Sequence, residues 1–131
     1  MKSKMQSFDK WNELKKEISQ KGSVYTKEGQ IYYASLGHNI GFEQNGRGDK
    51  FMRPILIYKK FGKETILGIP LSSQVKEGRF YYTFSFQANK LSVALLSQIR
   101  LLDTRRLYSR LGRMKKDDFI KMKQKLNELI N

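Results

Sequence analysis

An α+β fold, in which a small, strongly bent antiparallel sheet or barrel lies between helical ends, is predicted by three observations on this chain. From Gly29 onward apolar residues recur at every second position over several short runs, the period of half-buried strands. Those runs are joined by short turn signals or by one long polar loop, which pairs sequential strands antiparallel. The two ends of the chain instead repeat apolar residues at steps of three and four, the period of amphipathic helices. At 131 residues the chain is long enough for one hydrophobic core and short for two. One compact domain over residues 29–131 is therefore expected, preceded by an added helix and linker over residues 1–28.

The first element is the helix expected at residues 7–20, where Phe8, Trp11, Leu14 and Ile18 share one narrow stripe and Ser7 can act as N-cap. KGSVYTKEG then reads as a linker. QIYYASL is the first strand, PILIYKK the second, and ETILGIPL the third, joined to the second by a turn at Phe61-Gly62. Pro70 should end that third strand, because proline donates no ladder bond. RFYYTFSFQ alternates strictly, with Phe80, Tyr82, Phe84 and Phe86 on the face expected to be core. KLSVALLSQIRLL supplies one more strand or a bent pair, broken at Ser97-Gln98. Asp103 is expected to cap a short helix through TRRLYSRL that Gly112 stops. The last helix, KDDFIKMKQKLNELI, sets Phe119, Met122, Leu126 and Leu129 in register, with Asp117 and Asp118 as caps in its first turn.

Charge narrows the partners. Twenty-six Lys and Arg against 12 Asp and Glu leave +14, which favours a polyanion: nucleic acid, an acidic protein or an anionic membrane face. The chain has no cysteine and one histidine, His38, so neither a thiolate centre nor a histidine-rich metal site can be built, and no cofactor is expected. No run approaches a signal-peptide core or a membrane span. The reading is a soluble, cytoplasmic protein.

The polar loop GFEQNGRGDKFMRP holds the densest set of candidate site residues. The residue before a proline is driven into an extended conformation, so Arg53 should stand at the mouth of the second strand. The second and third strands are hairpin neighbours, so the start of one lies beside the end of the other. Arg53 and Ser72 should therefore meet in space, with Ser73 beside them and Glu43 and Gln44 on the loop above. An arginine fork binds phosphate oxygens and stays charged at physiological pH, and a hydroxyl can add a hydrogen bond. Neither is a general base; Glu43 would need burial to raise its pKa, and His38 starts near a suitable value.

From Gly29 to the C-terminus the landmarks GQIYYASLG, GFEQ, RPILI, GIPLSSQ and LLSQIRLLDTRRL appear in order, and together they resemble the MazF/PemK (Kid) family of bacterial toxin–antitoxin ribonucleases. That resemblance implies a small SH3-like barrel that acts as a homodimer. It implies metal-independent cleavage of single-stranded RNA at short sequences, leaving a 2′,3′-cyclic phosphate and a 5′-hydroxyl. An acidic antitoxin protein would be the partner. Residue by residue, the family's catalytic arginine falls on Arg53, its EQ pair on Glu43 and Gln44, and its threonine on Ser72. Ser73, Gln74 and Gln98 fall on the RNA-binding surface. Three departures stand out: serine replaces threonine at position 72, the loop before Arg53 is long, and Leu95-Leu96-Ser97 replaces an Arg-x-Asp that some members carry. The alternative from another class is a non-catalytic barrel that acts by contact with RNA or with a protein such as gyrase.

Overall fold

The computed structural model describes residues 25–36 and 52–130. Seven strands and one helix follow in order: β1 (Gln30–Ser35), β2 (Met52–Phe61), β3 (Thr65–Ser72), β4 (Tyr81–Gln87), β5 (Lys90–Leu95), β6 (Arg100–Asp103), β7 (Leu107–Arg113) and α1 (Lys116–Ile130). The helix expected at residues 7–20 lies outside the described residues, as do His38, Glu43 and Gln44. Among the described residues no helix is long and apolar enough to cross a membrane.

The strands form one antiparallel sheet in the order β4-β5-β3-β2-β1-β7, with β6 pairing β3 off that path. β3 is the strand about which the sheet bends. Its first half, Thr65 to Gly68, pairs with β6, and its last two residues, Leu71 and Ser72, pair with β5. Pro70 sits in the gap between those partners and opposite Ile55 of β2, so β3 continues to Ser72 instead of ending at the proline. A residue without an N–H is tolerated there because neither β6 nor β5 pairs with it.

Apolar residues fill both faces of the middle strands. Consecutive Ile55, Leu56 and Ile57 are all fully buried, which explains the unbroken run in β2. Leu56 joins Ile31, Ile69, Leu71 and Phe84 beneath α1, which buries Met122 and Leu126. Ile55 and Ile57 pack on the other face with Tyr32, Ile66, Leu102 and Leu107. At Gly68 a Cβ would stand 2.7 Å from Ile55 Cγ2, so only glycine lets β3 lie this close.

Three further expectations need correcting. TRRLYSRL is not a helix: Asp103 caps a single 3-10 turn, Thr104–Arg106, and the chain then runs extended as β7 against β1. Gly112 accordingly stops nothing; it lies within β7 opposite Ile31, where a Cβ would meet Phe86 Cδ2 at 2.9 Å. Phe80 precedes β4, is 41% exposed, and lies under the Arg79 guanidinium at 5.0 Å, so it is not core. Of the single strand or bent pair expected from residue 90, the structure has the pair, β5 and β6 around the turn Leu96–Gln98.

Asp117 and Asp118 occupy the first turn of α1, where the helix dipole favours them. Asp118 also makes a tertiary contact. Its Oδ1 accepts a 2.7 Å hydrogen bond from the Tyr82 hydroxyl, tying the start of α1 to β4. Burial, and then this bond, push the Tyr82 phenol up to about 12.

Candidate active site

The β2–β3 ladder ends at the pair Ile55–Pro70. Extending the same register by two residues sets Arg53 opposite Ser72, as hairpin topology requires. The two side chains are 7% and 8% exposed, so both belong to the body of the fold and not to a solvated rim. Arg53 pairs along its backbone with Ala34 of β1, and its Nη2 donates to the Leu71 carbonyl oxygen at 2.9 Å. That bond aims the guanidinium across the end of the ladder. Ser72 Oγ accepts from the Gln74 backbone N–H at 3.1 Å, which turns the chain out of the sheet and leaves Ser73 and Gln74 exposed. A hydroxyl that accepts in this way still has a proton to donate. The same bond restrains the Ser72 rotamer, which has no threonine methyl to fix it.

These groups face an open pocket of about 590 Å³. Arg53, Ser72, Ser73 and Gln74 form one wall; Gln87, Lys90 and Ser92 of the β4–β5 hairpin form part of the lining. Tyr33, Phe86 and Leu111 add apolar surface. Gln98 is not among the lining residues; it is half-buried in the turn between β5 and β6. The described residues thus bring together Arg53, Ser72, Ser73 and Gln74 and leave Gln98 apart.

Lys90, Phe86 and Tyr33 are pocket residues that sequence reasoning missed. The signal for Lys90 was the turn Ala88-Asn89 between the paired Gln87 and Lys90, where Asn89 takes φ 59°. Among the described residues no three His, Cys, Asp or Glu side chains cluster as metal ligands would.

A second polar cluster lies at the β6–β7 corner. Asp103 accepts from Arg105 through the backbone N–H at 2.8 Å, Nε at 3.1 Å and Nη2 at 2.8 Å. The side-chain bond from Arg105 is the main reason that the Asp103 carboxyl is held below its ordinary value. Thr104 donates from Oγ1 to the Lys63 carbonyl oxygen and from its N–H to that of Glu64, so the corner is fastened to the β2–β3 hairpin. Arg106 Nη1 reaches the Ser35 carbonyl oxygen at 3.3 Å.

The family model for PemK-like, MazF-like toxins of type II toxin–antitoxin systems matches residues 27–130, which takes in every strand and the helix. The chain belongs to this family. Solved MazF-like structures share its fold. MazF from Deinococcus radiodurans superposes with a TM-score of 0.65 at 23% identity, covering 82% of this chain and 97% of that one. An endoribonuclease in complex with its cognate antitoxin, from a mycobacterial species, gives 0.64 at 14% identity over 81% and 95%. A MazE–MazF complex from D. radiodurans gives 0.62 at 19% over 82% and 97%. No curated protein sequence matches the chain. The bent sheet and the terminal helix are therefore those of the MazF-like fold.

Proposed function

We propose that this MazF-like chain is a sequence-selective endoribonuclease that cuts single-stranded RNA as the toxin of a toxin–antitoxin pair. Its membership of a family of endoribonuclease toxins supports the activity. The observation that carries the site is a buried guanidinium and a buried hydroxyl, Arg53 and Ser72, facing one pocket at the end of the β2–β3 ladder.

In the reaction we infer, the ribose 2′-oxygen attacks phosphorus in line with the departing 5′-oxygen. The new P–O2′ bond forms as the P–O5′ bond breaks, leaving a 2′,3′-cyclic phosphate and, after protonation, a 5′-hydroxyl. Negative charge grows on the non-bridging oxygens, and the Arg53 fork with the Ser72 O–H is suited to stabilise it without a metal ion. The proton of the 2′-hydroxyl goes to a base on the loop before Arg53, for which Glu43 is the family's counterpart, while Gln44, Ser73 and Gln74 contact the RNA at the site and Gln98 contacts it outside the pocket. An acidic antitoxin would compete for the same basic surface of a cytoplasmic homodimer, in keeping with the +14 charge.

The test is incubation of the purified protein, in EDTA, with a long single-stranded RNA, followed by mapping of new 5′ ends and assay for cyclic phosphate. Discrete cuts sharing a few bases and ending in cyclic phosphate are expected. RNA that stays intact but shifts on a gel would replace the enzyme with a binding module, and loss of cutting in EDTA would contradict the metal-free route.

A further inference from the structure

The pocket is larger than one phosphate group requires; at about 590 Å³ it has the size of sites that enclose a small organic ligand. Two of its lining residues are cationic, Arg53 from β2 and Lys90 from β5, and no carboxylate lines it among the described residues. The rings of Tyr33 and Phe86 and the hydroxyl of Ser92 add to that lining the flat apolar surface and polar edge that a nucleobase needs.

Lys90 is held in place by its backbone. It pairs with Gln87 across a two-residue tip whose Asn89 adopts φ 59°. The Ser85 hydroxyl lies 2.8 Å from both the Gln87 and the Lys90 carbonyl oxygens, clamping the hairpin where its register shifts. A fixed backbone with a long, exposed ammonium suits a point contact to a phosphate, whereas the buried Arg53 fork suits the reacting one.

Resting on the ribonuclease reading above, we propose that Lys90 binds the phosphodiester adjoining the one that Arg53 holds. The pocket then encloses one nucleotide bracketed by two phosphates. Lys90 is a binding residue for the flanking phosphate and takes no part in bond breaking.

The experiment measures binding of an oligonucleotide carrying a 2′-deoxy sugar at the mapped cut, so that it cannot be cleaved, across a salt series. Lys90→Ala should weaken binding about 5- to 10-fold at low salt and reduce the slope of log K against log salt by about one, while Lys90→Arg stays near wild type. Oligonucleotides with one neutral methylphosphonate beside the cut complete a double-mutant cycle. At one of the two flanking positions the neutral linkage should cost wild type what Lys90→Ala costs, and should cost Lys90→Ala almost nothing more. Wild-type affinity and slope in Lys90→Ala, or additive losses at both positions, would overturn the assignment while leaving the ribonuclease reading intact. A wild-type protein that neither binds nor cuts RNA would remove both. Because Lys90 is exposed, Lys90→Ala should keep the wild-type circular dichroism spectrum and melting temperature.

Discussion

The two ends of β3 carry the same kinds of side chain and put them to different use. At the Thr65 end, opposite Asp103, an arginine meets a carboxylate and a hydroxyl meets a loop carbonyl. Arg105 and Thr104 there are consumed in joining the β6–β7 corner to the β2–β3 hairpin. At the Ser72 end, Arg53 is far more deeply buried than Arg105, yet it and Ser72 line an open pocket in which no described carboxylate stands. A guanidinium paired with the carboxylate two residues away holds its corner together; one buried at the wall of a cavity is placed to face a ligand. Residue type alone does not separate the two cases.

The two ends of β3 differ most at Arg53. Arg53→Ala should lower the initial rate of cutting a defined RNA by roughly 10²–10³-fold, the usual cost of removing one transition-state donor. Because its Nη2 bond to Leu71 is also lost, its melting temperature should fall by a few degrees, about 1 kcal/mol. An undiminished rate would take Arg53 out of the mechanism.

A smaller effect, on both fold and site, is expected at Gly112. The Phe86 ring that lines the pocket stands where a new methyl group would be. Gly112→Ala should cost about 1–3 kcal/mol in urea unfolding through overpacking and should weaken RNA binding as Phe86 moves.

Two substitutions remote from the pocket should change stability and leave cutting intact. Tyr82→Phe loses the bond to Asp118 and about 1 kcal/mol. Since the phenol is raised from 10.0 to about 12, its contribution is full below pH 10 and disappears as pH rises toward 12. The gap in melting temperature between wild type and variant should close over that interval. Asp103→Asn should have the smallest effect, because the pair with Arg105 is more than a third exposed on the arginine side. Here the folded pKa is depressed, so the stabilisation is present above the ordinary value of 3.8 and is lost as pH falls below it. Thermal melts at pH 6 and pH 3 should differ more for wild type than for the variant. Loss of cutting in Asp103→Asn with an unchanged melt would show that this corner also serves the site.

Much of the fold was legible. The strands β1 to β4 and the helix α1 follow directly from apolar periods of two and of three to four. The meeting of Arg53 and Ser72 was legible too, because β2 and β3 are consecutive and joined by a tight turn. The register shifts by one residue between Ile57 and Lys59, so counting from the turn alone would set Arg53 opposite Ser73, and the pairs beyond the shift set it opposite Ser72. The errors fell on residues whose partners are distant in the chain. Thr104 to Leu111 contains ordinary helix formers, and helix propensity differs among such residues by only tenths of a kcal/mol. Pairing with β1, in which Ala34 lies opposite Leu107 and Ile31 opposite Gly112, outweighs that preference and makes the segment a strand.

By itself, then, the sequence determined the strands β1 to β4 and the terminal helix, and that an arginine and a serine close the end of one hairpin. These follow from local periodicity, proline stereochemistry and short connections. Only the tertiary structure decided that β7 closes on β1 and that Asp103 fastens a corner and does not start a helix. It alone showed that Lys90 and Phe86 join the pocket of Arg53. Each of those depends on contacts between residues far apart in the chain, whose energy comes from packing and pairing that no local pattern records.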